Sequence, residues 1–384
     1  MLTPLLFLAL TQSATIEVPF KMGEHAMIVD AIVNDRKLSF MFDTGFSGDF
    51  VVDNNISLGK ATGKMTLRDF VGEFEAETVA LKSVKLGEKT IKGDHEAIMQ
   101  PGDYSFSYNT HCDGIMGYSI IKDEIAEINF QKSKFIFHPK SFDISKKIPD
   151  NKTTFLLKML PIGNGSIPIE VVAPNGKRLI LSLDTGNAFY ATTHRDVLER
   201  TLLWSPEKKP KYMSSSFVAS GPVDSWTKKL ADMTIFGVKV PTSYWDIIDL
   251  PSSSAEGDGT VGFQFLKNFN VTIDFERRRV WMENFTGKVE NEPDGQTGVI
   301  ANYHEGSQRV RVFRVLAESS ASAAGIKVGD SILSIDGKEL LGALGYQEVK
   351  EMMEGKVGSK VVLSISSGGE VKRIELTRQA LIND

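Results

Sequence analysis

Apolar and polar residues alternate in short runs along most of the chain, and Gly, Asn and Asp break the runs. Segments 26–33 (AMIVDAIV), 75–86 (EAETVALKSVKL) and 230–240 (LADMTIFGVKV) read as strands separated by turns. The pattern is also duplicated. Residues 113–137, DGIMGYSIIKDEIAEINFQKSKFIF, align without a gap to residues 258–282, DGTVGFQFLKNFNVTIDFERRRVWM. The Asp and both Gly coincide and the apolar positions track throughout. In each copy the pattern predicts a short helix, over 119–126 and 264–268, and then a tight hairpin through 131–134 and 276–279.

Upstream of each copy an apolar run ends in Asp-Thr-Gly: FMFDTGFSG at 40–48 and LILSLDTGNAF at 179–189. Asp184 follows Asp43 by 141 residues, and 70 and 74 residues separate each of them from its Asp-Gly-x-x-Gly. One Asp-Thr-Gly carries little information. Two at matched places in a repeat mark one fold unit used twice, each copy delivering an Asp at a strand end where glycine permits a tight turn.

The length, 384 residues, suffices for two or three domains with sizeable cores. A net charge of −5 provides no basic footprint for nucleic acid. Residues 5–10 are apolar and small residues follow up to Ala14, which predicts a secretory signal peptide over 1–14, although no Lys or Arg precedes it. The other reading of this run is a buried first strand. No run approaches the ~20 apolar residues of a transmembrane helix, so the expectation is an exported protein, periplasmic or secreted, with a bacterial envelope favoured. The lone Cys112 excludes an intramolecular disulfide. His111 and Cys112 are adjacent, so on a strand they face opposite ways, and the pair is read as structural. Neither metal-ligand spacing nor a phosphate-binding glycine loop occurs, so no metal and no cofactor is expected.

Two carboxylates facing each other across a pseudo-two-fold axis cannot both ionise. At about 3 Å one pKa rises strongly and the pair shares a proton. Asp43 and Asp184 would then be catalytic, the ionised member taking a proton from water while the protonated member polarises a carbonyl. Thr44 and Thr185 suit a supporting role, locking the turns together, and Gly45 and Gly186 let the backbone bend beside the acids.

At these residues the chain resembles the aspartic proteases, pepsins and retropepsins, over about residues 15–284. The resemblance implies a mainly β protein in which two retropepsin-like β-barrel lobes, 15–140 and 141–284, form a bilobal acid-protease fold. It also implies that Ile115-Met116-Gly117 and Thr260-Val261-Gly262 thread behind the catalytic turns as ψ-shaped supports. Phe46 and Asn187 stand where that family carries Ser, Thr or Ala, so Ser47 or Asn187 is expected to supply the missing hydrogen bond to the outer carboxylate oxygen. Phe70, Val71 and Gly72 are the expected tip of a flap over the substrate, an ordinary surface hairpin being the alternative. A polar insertion at 204–226 reads as a disordered loop or a cleft wall.

Residues 285–295 are polar and read as a linker. Beyond them, SSASAAGIKVGDSILSIDGKEL at 319–340 resembles PDZ domains, a likeness covering about 296–378. It implies a small α+β domain, lightly packed on the lobes, that binds extended peptides by strand addition and holds their C-terminal carboxylates. The peptide groove would comprise Gly298, Val299 and Ile300 opposite a helix carrying Val349 and Met353, residues that also suit a core. The expected function is aspartic endopeptidase activity on peptide or protein substrates, the PDZ module recognising peptides or regulating activity. The alternative is a catalytically degenerate protease fold acting as a PDZ-based peptide-binding or scaffold protein. Both Asp-Thr-Gly triplets being intact favours the enzyme.

Overall fold

The computed structural model describes residues 15–384 except 24, 69–72, 103, 108–109, 162–165, 219–220, 253–256, 343 and 345. The protein is mainly β, with two β-barrel lobes and a small α+β domain. Residues 1–14, the expected signal peptide, lie outside the described residues.

The lobes meet in one sheet whose strands run Thr154–Lys158, Arg279–Asn284, Phe269–Asp274, Ile125–Asn129, Lys134–His138 and Ile16–Met22. At its centre Ile125–Asn129 lies antiparallel to Phe269–Asp274, with Glu127 opposite Thr272. Asp113 and Asp258 are related by a shift of 145 residues, and the same shift carries Glu127 to Thr272. The axis relating the two halves therefore passes between these paired residues. Alternation builds the core beneath the sheet: Ile128, Phe135, Phe137, Val271, Ile273, Val280 and Met282 are all buried. Each contributes roughly 1.5–3 kcal/mol by leaving water.

Each lobe carries a threaded arrangement of three strands. Gly114–Gly117 runs parallel to Arg36–Asp43 and antiparallel to Phe50–Asp53, passing between them. In the second lobe Gly259–Val261 passes between Arg178–Leu183 and Ala191–His194. The glycines make this possible: a Cβ at Gly114 would strike the Val51 carbonyl, and one at Gly259 the Thr192 carbonyl. The repeated acid pins the start of the catalytic strand, since Asp113 Oδ2 accepts from Ser39 N at 2.7 Å and Asp258 Oδ2 from Ile180 N at 2.8 Å.

Local detail departs from the expectations in three places. The helices are single turns, Tyr118–Ile121 and Phe263–Leu266, and the chain is again extended by Ile125 and Phe269, because the alternating core positions that follow demand a strand. The run at 75–86 is two strands, Glu73–Leu81 and Val84–Leu86, held apart where Asn34 Oδ1 accepts from Lys82 N and Ser83 N. The run at 230–240 is a hairpin turning at Phe236 and Gly237, whose φ values are +49° and +77°.

The polar insertion at 204–226 is built on a core of its own. Trp204 and Trp226 pack with ring centroids 4.5 Å apart, and the ammonium groups of Lys208 and Lys228 lie over Trp204 at 4.7 and 4.9 Å. Ser214–Val218 pairs with Gly221–Ile235 as a hairpin.

The C-terminal domain pairs Val299–His304, Arg309–Val315, Ser331–Ile335, Lys360–Ser367 and Glu370–Thr377 in one sheet, and the helix Tyr346–Met353 packs against the first strand. The segment 285–295 is strapped to the second lobe: Asn291 exchanges hydrogen bonds with the Tyr244 backbone at 2.9 and 3.0 Å, and the Tyr190 hydroxyl donates to the Val289 carbonyl. Nor is the domain lightly packed. Arg314 meets Asp224 at 3.1 Å, Ile300, Leu316 and Leu381 cluster with Tyr212, and Asn383 Oδ1 accepts from Lys211 N and Tyr212 N at 2.6 and 3.0 Å.

Candidate active site

The two Asp-Thr-Gly turns face each other, and backbone amides hold each acid. Asp43 Oδ1 accepts from Gly45 N at 2.7 Å and Phe46 N at 3.2 Å, and Asp184 Oδ1 accepts from Gly186 N at 2.9 Å and Asn187 N at 3.1 Å. Both threonines are fully buried and reach across the axis. Thr44 Oγ1 donates to the Leu183 carbonyl at 2.9 Å and accepts from Thr185 N at 2.9 Å. Reciprocally, Thr185 Oγ1 donates to the Phe42 carbonyl at 2.8 Å and accepts from Thr44 N at 3.1 Å. Replacing Thr44 by Val strands the Thr185 N–H and the Leu183 C=O. Each orphaned buried group costs about 1–3 kcal/mol. Urea denaturation should therefore show Thr44→Val destabilised by about 2–5 kcal/mol and Thr44→Ser close to the parent.

The two carboxyl groups are hydrogen-bonded to each other. Each packs against the glycine of the opposite turn: a Cβ on Gly45 would lie 2.7 Å from Asp184 Cγ, and one on Gly186 would overlap the Asp43 carboxyl. Burial, then the charge and hydrogen bond of Asp184, hold the Asp43 carboxyl well above the usual carboxylate range. Burial also raises Asp184, but hydrogen bonds from Asp43, from the Asn187 and Gly186 amides and from the Thr260 hydroxyl offset it.

Asn187, expected to serve the outer carboxylate oxygen with its side chain, is turned away. Its amide nitrogen donates to Thr192 Oγ1 at 2.9 Å and Thr260 Oγ1 at 2.7 Å, while its oxygen accepts from Phe189 N at 2.9 Å. The hydroxyl that meets Asp184 belongs to Thr260, in the ψ-shaped support. Its signal in the sequence was a polar residue where the first copy has Ile115. A second group carried no such signal because its members come from separate elements. Behind the first turn Ser119 Oγ donates to the Asp49 carboxylate and to the Gly48 carbonyl (2.6 Å), and Asp49 Oδ2 meets Glu96 N at 3.0 Å and His95 Nδ1 at 3.2 Å.

The expected flap tip, Phe70, Val71 and Gly72, lies outside the described residues. The strands leading to it, Gly63–Arg68 and Glu73–Leu81, pair as a hairpin. Cys112 is buried, its thiol donates to the Gly114 carbonyl at 3.1 Å, and burial pushes its pKa up to about 11. At neutral pH it is a protonated thiol, not a nucleophile.

In the C-terminal domain Gly298 adopts φ +83° close against Ser319. Val299, Val349 and Met353 are buried in the domain core, whereas Ile300 packs outward toward Tyr212. Gly298, Val299, Ile300 and Met353 also line a cavity whose wall includes Lys350, Glu354 and Ser214 of the second lobe. The helix Tyr346–Met353 bears on both lobes. Lys350 Nζ lies 5.4 Å from the centroid of Phe189, five residues beyond Asp184, and Glu351 meets His25 of the first lobe at 3.8 Å.

Among the described residues no helix is long and apolar enough to cross a membrane. A family model for the PDZ domain matches residues 311–366. Carboxyl-terminal-processing peptidase 1, chloroplastic, of Arabidopsis thaliana is 32% identical over 90 residues, which are 22% of this chain and 18% of that protein. The chain thus matches about a fifth of that relative's length. Among solved structures, the aspartic proteinase from Irpex lacteus aligns with a TM-score of 0.45 and 15% identity, over 71% of this chain and 98% of that one. The photosystem II D1 C-terminal processing protease aligns with a TM-score of 0.22 and 26% identity, over 23% of each chain. Residues 311–366 are accordingly a PDZ domain, joined here to two β lobes whose Asp-Thr-Gly turns face each other.

Proposed function

We propose that the protein is an aspartic-type endopeptidase whose PDZ domain recognises peptides or regulates cleavage. The observation that carries this reading is the pair of buried, mutually hydrogen-bonded carboxyls, Asp43 and Asp184, on turns locked by Thr44 and Thr185. Such a pair carries one negative charge and one proton over a broad pH range. The ionised member takes a proton from a water held between them, and the protonated member polarises the scissile carbonyl. Hydrolysis then proceeds by general acid–base catalysis without a covalent intermediate. The relative from Arabidopsis is itself named a carboxyl-terminal-processing peptidase, which supports a PDZ domain serving proteolysis. Export to a bacterial envelope belongs to the same proposal.

The test is cleavage of a denatured protein between about pH 3 and 7, with and without pepstatin. Pepstatin-sensitive endoproteolysis is expected. Absence of cleavage across that range, or cleavage indifferent to pepstatin, would remove the aspartic mechanism.

A further inference from the structure

The two catalytic turns are chemically unequal. The 141-residue shift that carries Asp43 to Asp184 places Phe46 on Asn187, and the 145-residue shift of the later motif places Ile115 on Thr260. The second turn therefore has an amide and a hydroxyl where the first has a phenyl ring and an aliphatic chain. The amide is oriented by the backbone: Phe189 N donates to its oxygen, so its nitrogen points at Thr260 Oγ1 and Thr192 Oγ1. A hydroxyl has a single proton. With the Thr260 oxygen occupied as an acceptor, that proton is directed to Asp184.

We propose that Thr260, oriented by Asn187, is the positioning residue that divides the roles within the pair: Asp184 carries the negative charge and Asp43 keeps the proton. This rests on the proteolytic reading above. In the forward step water gives a proton to Asp184 and its oxygen bonds to the carbonyl carbon, while the Asp43 proton moves to the carbonyl oxygen. As the tetrahedral species collapses, the proton on Asp184 passes to the departing amine. A hydroxyl proton returns to Asp43 as the carboxyl product forms, and the pair regains its starting state.

The electrostatics agree. Among the described residues the titratable group facing Asp184 is Asp43, and its other partners are the Gly186 and Asn187 amides and the Thr260 hydroxyl. Asp43 faces Asp184 and the Gly45 and Phe46 amides, with no hydroxyl to stabilise its anion, and it is the more strongly raised of the two.

Single-carboxyl variants in the full chain, labelled with 13C at the Asp carboxyl carbons, test this without reference to proteolysis. In Asp43→Asn the remaining Asp184 should titrate at lower pH than the remaining Asp43 does in Asp184→Asn. A hydrogen bond to a charged group is worth about 1.5–3 kcal/mol. Adding Thr260→Val to Asp43→Asn should therefore raise the Asp184 midpoint by about one to two pH units, while Thr260→Ser leaves it in place. Adding Thr260→Val to Asp184→Asn should leave Asp43 unmoved. With both acids present, Thr260→Val should shift the acid limb of the kcat/KM profile upward by a similar interval, and Thr260→Ser should restore it. Thr260→Ala serves if the valine variant does not fold. Equal midpoints in the two single-carboxyl variants, or a Thr260 substitution that moves both acids alike, would overturn the assignment. If no peptide is cleaved at any pH the proteolytic reading fails, and the titrations still decide which acid the hydroxyl serves.

Discussion

Asp43→Asn and Asp184→Asn should each lower peptide hydrolysis at least about a thousandfold while raising thermal stability at neutral pH. The rate falls because the acids act as a unit, and an amide can neither accept the proton from water nor relay one to the carbonyl. The stability change has the opposite sign and a separate origin. Burial raises the folded-state pKa of both acids above that of the unfolded chain. A group raised in this way contributes fully below its unfolded pKa, and the contribution is lost as pH rises through the folded value. At neutral pH the native pair is therefore a liability, which an uncharged Asn removes. Differential scanning calorimetry should show both variants melting several degrees above the parent at pH 7, with the gain vanishing below about pH 3.5. A variant that keeps more than a tenth of the parental rate would argue against the paired mechanism. An unchanged melting temperature at pH 7 would argue against the raised pKa values.

Docking of the PDZ domain on the second lobe should weaken as pH rises from mildly acidic to neutral, and Glu354→Gln should remove most of that dependence. Glu354 follows the helix Tyr346–Met353 and lines the cavity shared with Ser214 of the second lobe. Burial pushes its carboxyl up to about 7, Lys350 draws it back, and Asp294, Glu351 and Asp246 add negative charge around it. Asp246 belongs to the second lobe. It is itself raised by burial and accepts from Ser216 Oγ at 2.9 Å, so it acts in the same direction. Separating the domains returns Glu354 to water and to the ordinary carboxylate range. The docked state thus binds the extra proton, and docking is lost as pH rises toward the docked value of about 7. The docking constant should change by up to about tenfold per pH unit in that interval. Hydrogen exchange over residues 212–218 and 296–301, corrected for intrinsic rates, should be faster at pH 7.5 than at pH 5 in the parent and nearly equal in Glu354→Gln. Equal protection in the parent at both pH values would show that Glu354 does not control the interface.

What the sequence made legible, and what it hid, follows from the range of the interactions involved. The duplicated Asp-Thr-Gly and Asp-Gly-x-x-Gly stand out because threading one strand between two others leaves no room for a Cβ at Gly114 or Gly259. Sterics of that kind write themselves into single positions. The gap-free alignment of the later motif likewise reflects the central pairing of Ile125–Asn129 with Phe269–Asp274. Helix lengths were overestimated because apolar spacing over one turn does not distinguish a helix from the strand entered directly after it. The hairpin at Phe236-Gly237 was hidden inside an unbroken apolar run. Docking of the C-terminal domain was illegible because Tyr212, Asp246, Lys350 and Asn383 each look ordinary in isolation and act together only after folding. The hydroxyl beside Asp184 was assigned to the wrong place for a related reason: Thr260 is 76 residues from the acid in sequence, whereas Asn187 is three away.

The pairing of Glu127 with Thr272 at the centre of the interlobe sheet bears on why the two halves are worth keeping on one chain and unlike. If two copies of the first half associated through the same strand, Glu127 would face its own counterpart. Like charges directly opposite in an antiparallel pair are destabilising. In the intact chain Thr272 occupies that position, and Glu127 instead engages His138 Nε2 at 2.9 Å and Asn129 Nδ2 at 2.6 Å. Homotypic pairing of first halves is thereby disfavoured relative to pairing with the second half. The fused protein carries a bias against strand exchange between molecules during folding, when this sheet is the last long-range contact to close.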